Sequence, residues 1–278
     1  MVREDGVGRG LQPLTFCTNR LFGEFAGGDD VSMYKAIPYY TTSKNMSLLI
    51  SNKCYSRFDF NNDHIIIKVG SKQVKGRLIV GNNPKEILLE YSNISGRMKS
   101  LPEWALDGVI LGIQGGEETV KHIVDQTLKA GVPVSGIWLQ DWCGKRVQKI
   151  LGRTLQRLWW NWEPDFELYP KWNDFVKEMD EKNICVLSYI NTFLSDVEKG
   201  GKSTFTENYY SVAKKRGFLV KEPTSKEPLN IVSGPNFTAG LLDVFNPQAF
   251  EWMKEILIRH YKSGVKGFMA DFGMNYRY

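Results

Sequence analysis

The sequence is poor in the residues that build metal sites and disulfide frameworks. Its 278 residues hold three histidines, His64, His122 and His260, and four cysteines, Cys17, Cys54, Cys143 and Cys185, with no CxxC pair among them. Structural zinc sites and stapled scaffolds need clustered ligands at short spacing, so no metal, cofactor or disulfide is expected, and the cysteines read as reduced, buried thiols. No run of about 18 apolar residues is present to span a bilayer as a helix, and the opening MVREDGVGRG has no apolar stretch of the signal-peptide kind. Those absences point to a cytoplasmic chain with no membrane span. An excess of one charge is missing too: 36 Lys and Arg stand against 31 Asp and Glu, a formal +5 spread through helix-like segments. Without a basic run, nucleic acid is a poor partner. Nor does a GxGxxG or Walker-type loop follow the apolar strand at 108 to 116, which weakens a nucleotide-binding reading. Asn45, Asn93 and Asn236 begin N-glycosylation tripeptides, a pattern that chance supplies readily at this length.

What is present is a large apolar fraction, 42% with 13% aromatic, enough for a sizeable core, and two distinct textures. From Leu14 to about Tyr91 short runs such as MSLLIS, YSRFDF, HIIIKVG and GRLIVG are broken by turn-like GGDD and FNND, the pattern of antiparallel strands. From Leu101 onward strands alternate with amphipathic helices. GVILGIQGG (108 to 116), VSGIWLQDW (134 to 142), ICVLSYINTF (184 to 193) and VKGFMADFG read as strands. EETVKHIVDQTLKAG closes on Gly131 as a C-cap, KWNDFVKEMDEKN is a second helix, and NPQAFEWMKEILIRHYKSG a third, opened by the Asn246-Pro247 pair. The stretch from about Leu194 to Leu241 reads as loop. Strands alternating with helices imply an α/β fold with a parallel sheet and right-handed crossovers, either doubly wound or a (β/α)₈ barrel. Both bind ligands at strand C-terminal ends, where Gln114, Gln140, Asp141, Asn191 and Asp271 fall.

LQRLWWNWEPD (155 to 165) places Trp159, Trp160 and Trp162 beside Arg157, in what reads as a long loop. Indole faces can pack on the C–H face of a sugar, the carboxamides of Gln114 and Gln140 can serve hydroxyls as donor and acceptor, and an arginine fork suits a carboxylate, phosphate or sulfonate. The plainer alternative has the tryptophans plugging the rim of the fold and Arg157 paired with Glu163 or Asp165 on a solvated face. Asp271 stands out because a carboxylate ending the apolar run GFMAD is expensive to bury unless paired or used; a turn-capping aspartate is the other reading. A retaining glycosidase would use such a group as nucleophile. Asp141 and Asp243, also placed at strand ends, could orient hydroxyls or merely bind backbone amides.

GIQGG, GIWLQDWCGKR, QRLWWNWEPD, LLDVFNPQAF and GFMADFG occur in the order and approximate spacing of sulfoquinovosidases of glycoside hydrolase family 31, and the sequence resembles that family from about Ile37 to Gly273. The resemblance implies a β-sandwich remnant over residues 1–100, galactose-mutarotase-like, followed by the first half of a (β/α)₈ barrel over 101–278. It also implies a retaining exo-α-glycosidase that releases an anionic sugar from a sulfolipid headgroup. On that likeness Asp271 is the catalytic nucleophile, and Gln114, Gln140, Arg157 and Trp160 recognise the sulfonate. The segment between Gln140 and Arg157 is about four residues longer than the family pattern, and after GFMADFG the family's Glu and Leu-Pro stretch is replaced by MNYRY. The family's acid/base aspartate and a further sulfonate-site tyrosine are not matched, so the sequence is expected to be a fragment, inactive on its own. A neutral α-glucosidase of the same family, and a truncated product that binds an anionic sugar or a partner without catalysis, remain open as alternatives.

Overall fold

The structure is a computed structural model and describes residues 37–52, 54, 56–60, 64–150, 153–202, 204–232 and 238–271. Cys17, Asn236, the GGDD turn and the segment after Asp271 lie outside them, as does most of the FNND turn. The chain divides into two compact units, Met1–Ser100 and Leu101–Tyr278. In the first, β2 (Met46–Ile50) pairs antiparallel with β1 (Tyr39–Thr41) on one side and β5 (Gly76–Val80) on the other, while β3 (Ser56–Phe60) and β4 (Ile65–Val69) form a hairpin. The four expected strands are all present. Tyr40 meets Phe58 and Phe60 edge-on, with ring centroids 6.2 and 5.3 Å away, the geometry that aromatic quadrupoles favour. Among the described residues one element departs from the expected all-strand texture: Pro84–Ser95 is a helix, α1. Asn83 caps it by accepting the Glu86 N–H, and Pro84 occupies the first turn, where its missing N–H costs nothing.

The second unit is built on four parallel strands, β6 (Val109–Ile113), β7 (Val134–Leu139), β10 (Cys185–Asn191) and β14 (Gly267–Asp271). Their spatial order β6-β7-β10-β14 follows the chain without reversal. A doubly wound sheet reverses its strand order, and the reversal creates its ligand crevice; a barrel proceeds round in sequence. Among the described strands the winding is the second kind. The helices between them carry the core. α2 (Gly116–Lys129) turns Val120 and Val124 inward, and α3 (Trp172–Glu181) buries Trp172, Phe175, Val176 and Met179 at helical spacing. Full burial of a side chain such as Phe175 contributes about 2–3 kcal/mol. α4 (Tyr209–Arg216) and α5 (Pro247–Lys262) complete the set, and α5 leads directly into β14. Nearly every residue of β7 is buried, as a strand covered on both faces requires.

Three expectations need correction. The tryptophan-rich segment is not one long loop: Arg153–Leu158 is strand β9, paired antiparallel with β8 (Lys145–Ile150), and only the aromatic residues after Leu158 are irregular. The Leu194–Leu241 stretch holds α4 and a small antiparallel sheet of β11 (Phe193–Ser195), β13 (Thr238–Leu241) and β12 (Asn230–Val232). ICVLSYINTF is therefore two strands, β10 and β11, in different sheets. Third, of the cysteines described only Cys143 is buried; Cys54 is exposed and Cys185 half-buried. No described helix is long and apolar enough to cross a membrane.

Candidate functional site

The C-terminal ends of the four parallel strands lie at one edge of the sheet, and the register aligns them: Ile113 opposite Leu139, Leu139 opposite Ser188, Asn191 opposite Asp271. Gln114 and Gln140 follow two adjacent ends, and the Gln114 carboxamide donates to that of Gln140 through Nε2 and Oε1. Each amide retains its other polar atom for a ligand hydroxyl.

Asp141, one residue on, lies beneath this edge. Its carboxylate is fully buried, with Oδ2 accepting from the Gly115 N–H at 2.7 Å and facing Lys145 Nζ at 3.0 Å, while Oδ1 accepts from the Tyr169 hydroxyl at 2.8 Å. Burial, followed by the Asp141 charge, pushes the Tyr169 phenol up, so its proton stays on oxygen to serve that bond. The expected hydroxyl contact of Asp141 thus gives way to a brace that fixes the loop after β6 and the start of the β8–β9 hairpin. Gly144 makes the entry to that hairpin tight: at φ +82°, an added Cβ would sit 2.0 Å from Asp165 Oδ2. Asp243 shows the backbone-amide alternative. It follows β13, a strand of the small antiparallel sheet, and its Oδ1 accepts from the Phe245 N–H at 3.1 Å in the turn before α5.

The aromatic cluster divides by role. Trp159 and Trp162 are buried at 4% and 2% exposure, so they plug the fold as the plainer reading had it. Trp162 stacks on Trp142 at 6.4 Å, and the Arg146 guanidinium lies 5.4 Å over Trp159. Trp160 is half-buried, stacked on Phe193 at 5.4 Å, with its carbonyl accepting from Ser195 N. It is the one of the three indoles that is not buried. Arg157, on β9, is exposed and stands directly opposite Arg146 in the hairpin register. Directly opposed residues of an antiparallel pair share a face, so Arg157 stands on the face from which Arg146 packs over Trp159.

Asp271 ends β14 half-buried, and its Oδ2 accepts a 3.0 Å hydrogen bond from the Tyr189 hydroxyl. Asn191 Nδ2 in turn donates to that hydroxyl at 3.2 Å. The involvement of Tyr189 was not foreseen from the sequence. The signal was there in the period-two spacing of Tyr189 and Asn191, which places both on one face of β10 at its C-terminal end. On the other face Ser188 Oγ and His260 Nε2 are joined at 2.7 Å, with the imidazole stacked 3.8 Å from Trp142. That pair belongs to the core.

These strand ends gather the Asp271 carboxylate, hydrogen-bonded to Tyr189, and two carboxamides, polar groups that suit a polyhydroxylated ligand. Residues 98–277 match the family model described as Glycosyl hydrolases family 31 TIM-barrel domain. The chain belongs to glycoside hydrolase family 31. The matched span contains all four parallel strands and the hairpin, so the unwavering strand order is that of a family 31 barrel domain. Two curated relatives of this family 31 chain are sulfoquinovosidases. One, from Escherichia coli, is 31% identical over 97% of this chain and 38% of its own length; the other, from Agrobacterium fabrum, is 29% identical over 97% of this chain and 39% of its own. The chain therefore spans about two fifths of the length of the curated relatives it matches. Among solved structures, a family 31 sulfoquinovosidase from E. rectale in complex with the aza-sugar inhibitor IFGSQ superposes with a TM-score of 0.82 at 31% identity, covering 96% of this chain and 38% of that one.

Proposed function

We propose that this chain carries the nucleophile and the anionic-sugar contacts of a retaining exo-α-glycosidase acting on sulfoquinovosides. In this reading the four parallel strands are the first half of an eight-stranded barrel over residues 101–278, and residues 1–100 are part of an antiparallel sandwich domain. Asp271 attacks the anomeric carbon and forms a glycosyl ester, the step a strand-end carboxylate serves in retaining enzymes. Arg157 binds the sulfonate with its planar fork, with Gln114 and Gln140 holding oxygen atoms of the sugar or its sulfonate and Trp160 closing one wall. Asp141 and Asp243 support the site through backbone amides and do not touch the sugar.

The observation that carries the reading is the placement of Asp271: a carboxylate at the end of a barrel strand, one oxygen tethered by a phenol, in a chain 31% identical to a sulfoquinovosidase over 97% of its length. The experiment is labelling with a fluorinated α-sulfoquinovosyl fluoride, whose ester hydrolyses slowly enough to trap. Mass spectrometry should place the adduct on Asp271, and Asp271→Asn should abolish it. An adduct on Asp141 or Asp243 would overturn the assignment.

A further inference from the structure

The Tyr189 hydroxyl is more constrained than a pairwise contact with Asp271 suggests. Asn191 Oδ1 is occupied by the Phe193 backbone N–H at 2.8 Å, which settles which way its carboxamide points: the NH₂ group faces Tyr189. With a donor arriving at its oxygen from that side, the phenol acts as acceptor there, and its single proton points at Asp271 Oδ2, 3.0 Å away. The ring cannot drift from this position. Tyr189 is 2% exposed, its ring lies 6.3 Å from that of Trp162, and its carbonyl accepts from Trp142 Nε1 at 2.7 Å. Burial pushes the phenol's proton affinity up, the Asn191 hydrogen bond offsets part of that, and the Asp271 charge adds to it, so the proton remains on the phenol.

From this geometry we infer that Tyr189 is a positioning residue for the glycosylation step, holding the Asp271 carboxylate through Oδ2 in the orientation from which it attacks the anomeric carbon, with Asn191 setting the Tyr189 hydroxyl. The inference rests on the reading of Asp271 as nucleophile. In the step itself a carboxylate oxygen of Asp271 forms the new bond to the anomeric carbon, the bond to the leaving group breaks with its electron pair departing on that group, and Tyr189 keeps its proton throughout. A carboxylate free to swing about its Cβ–Cγ bond would lose the near-attack geometry on which such a displacement depends.

The test separates rate from affinity. Inactivation of the full chain by a fluorinated α-sulfoquinovosyl fluoride, whose fluoride leaves without a proton donor, yields a dissociation constant for the reversible complex and a rate constant for ester formation. Tyr189→Phe removes one oxygen atom and keeps the ring. It should slow ester formation by roughly 10- to 100-fold, the penalty that misplacement of a reacting group carries, while leaving the dissociation constant within about twofold. Asn191→Ala leaves the phenol in place but frees its rotation, so it should slow the same step less, and its effect should largely disappear in the Tyr189→Phe background. Independent packing losses would add instead. Labelling of Asp271 at the wild-type rate in Tyr189→Phe, or equal losses in rate and affinity, would overturn the inference while the nucleophile assignment stood. Failure of the wild-type chain to form an ester at Asp271 would remove both together.

Discussion

At the residue scale the clearest consequence of burial falls on His260. Its imidazole is enclosed by Trp142, Trp172 and Phe268 with Ser188 as hydrogen-bond partner, and burial lowers its pKa from the ordinary 6.5 to about 3. The folded chain then holds a neutral ring at pH values where the unfolded chain protonates it. This contribution is fully present above about pH 6.5 and is lost progressively as the pH falls toward 3, reaching about 2 kcal/mol of lost stability near pH 5. Urea unfolding at pH 7.5 and pH 5 should show that loss in the wild type and a smaller one in His260→Phe, whatever the variant's stability at neutral pH. Equal slopes would mean the histidine takes up its proton without unfolding. Asp271 was legible in the sequence because a carboxylate ends an apolar run; Tyr189 was hidden, since a tyrosine in a strand is ordinary and its role follows from pairing with Asp271 across 82 positions. For Trp159 and Trp162 the sequence left both a sugar platform and a plug of the fold open, and packing decides for the plug.

At the scale of elements the sequence was most legible where one period dominates and least where it is interrupted. The stripe of α3 and the Asn246-Pro247 start of α5 are read directly. The β8–β9 hairpin was not, because its alternation is masked by charges on both faces, with Lys145 drawn to Asp141 and Arg146 to Trp159. α1 was missed because its Asn83-Pro84 cap lies in a stretch otherwise composed of strands. Two glycines test how firmly the hairpin is seated. Gly144 and Gly131 both have positive φ, +82° and +77°, but a Cβ at Gly144 meets Asp165 whereas one at Gly131 has nothing within 4 Å. Gly131→Ala should therefore cost about 1 kcal/mol, the left-handed backbone penalty alone. Gly144→Ala should cost at least about 2 kcal/mol more, since it displaces a carboxylate that is buried and paired with Lys202 at 3.0 Å. Urea denaturation of the two variants checks this, and equal losses would show that the Asp165 side of the hairpin yields freely.

For the whole molecule, the alternation of strands and helices fixed an α/β fold but left two windings open. What decides between them is the neighbour order of the four parallel strands, a property of pairing between segments tens of residues apart. That order brings Gln114, Gln140 and Asp271 to one edge. On the proposed function this edge is built for an anionic sugar. The most direct test is the ratio of the second-order rate constants for labelling by a fluorinated α-sulfoquinovosyl fluoride and by the matching fluorinated α-glucosyl fluoride, measured in the wild type and in Arg157→Ala. Loss of a charge-assisted fork on a desolvated sulfonate should cost about 2–4 kcal/mol on the sulfoquinovosyl fluoride and little on the glucosyl fluoride. The expected wild-type ratio is well above one and falls by roughly 30- to 900-fold in the variant. A wild type that favours the glucosyl fluoride, or a variant that loses labelling rate equally with both reagents, would contradict the proposed function.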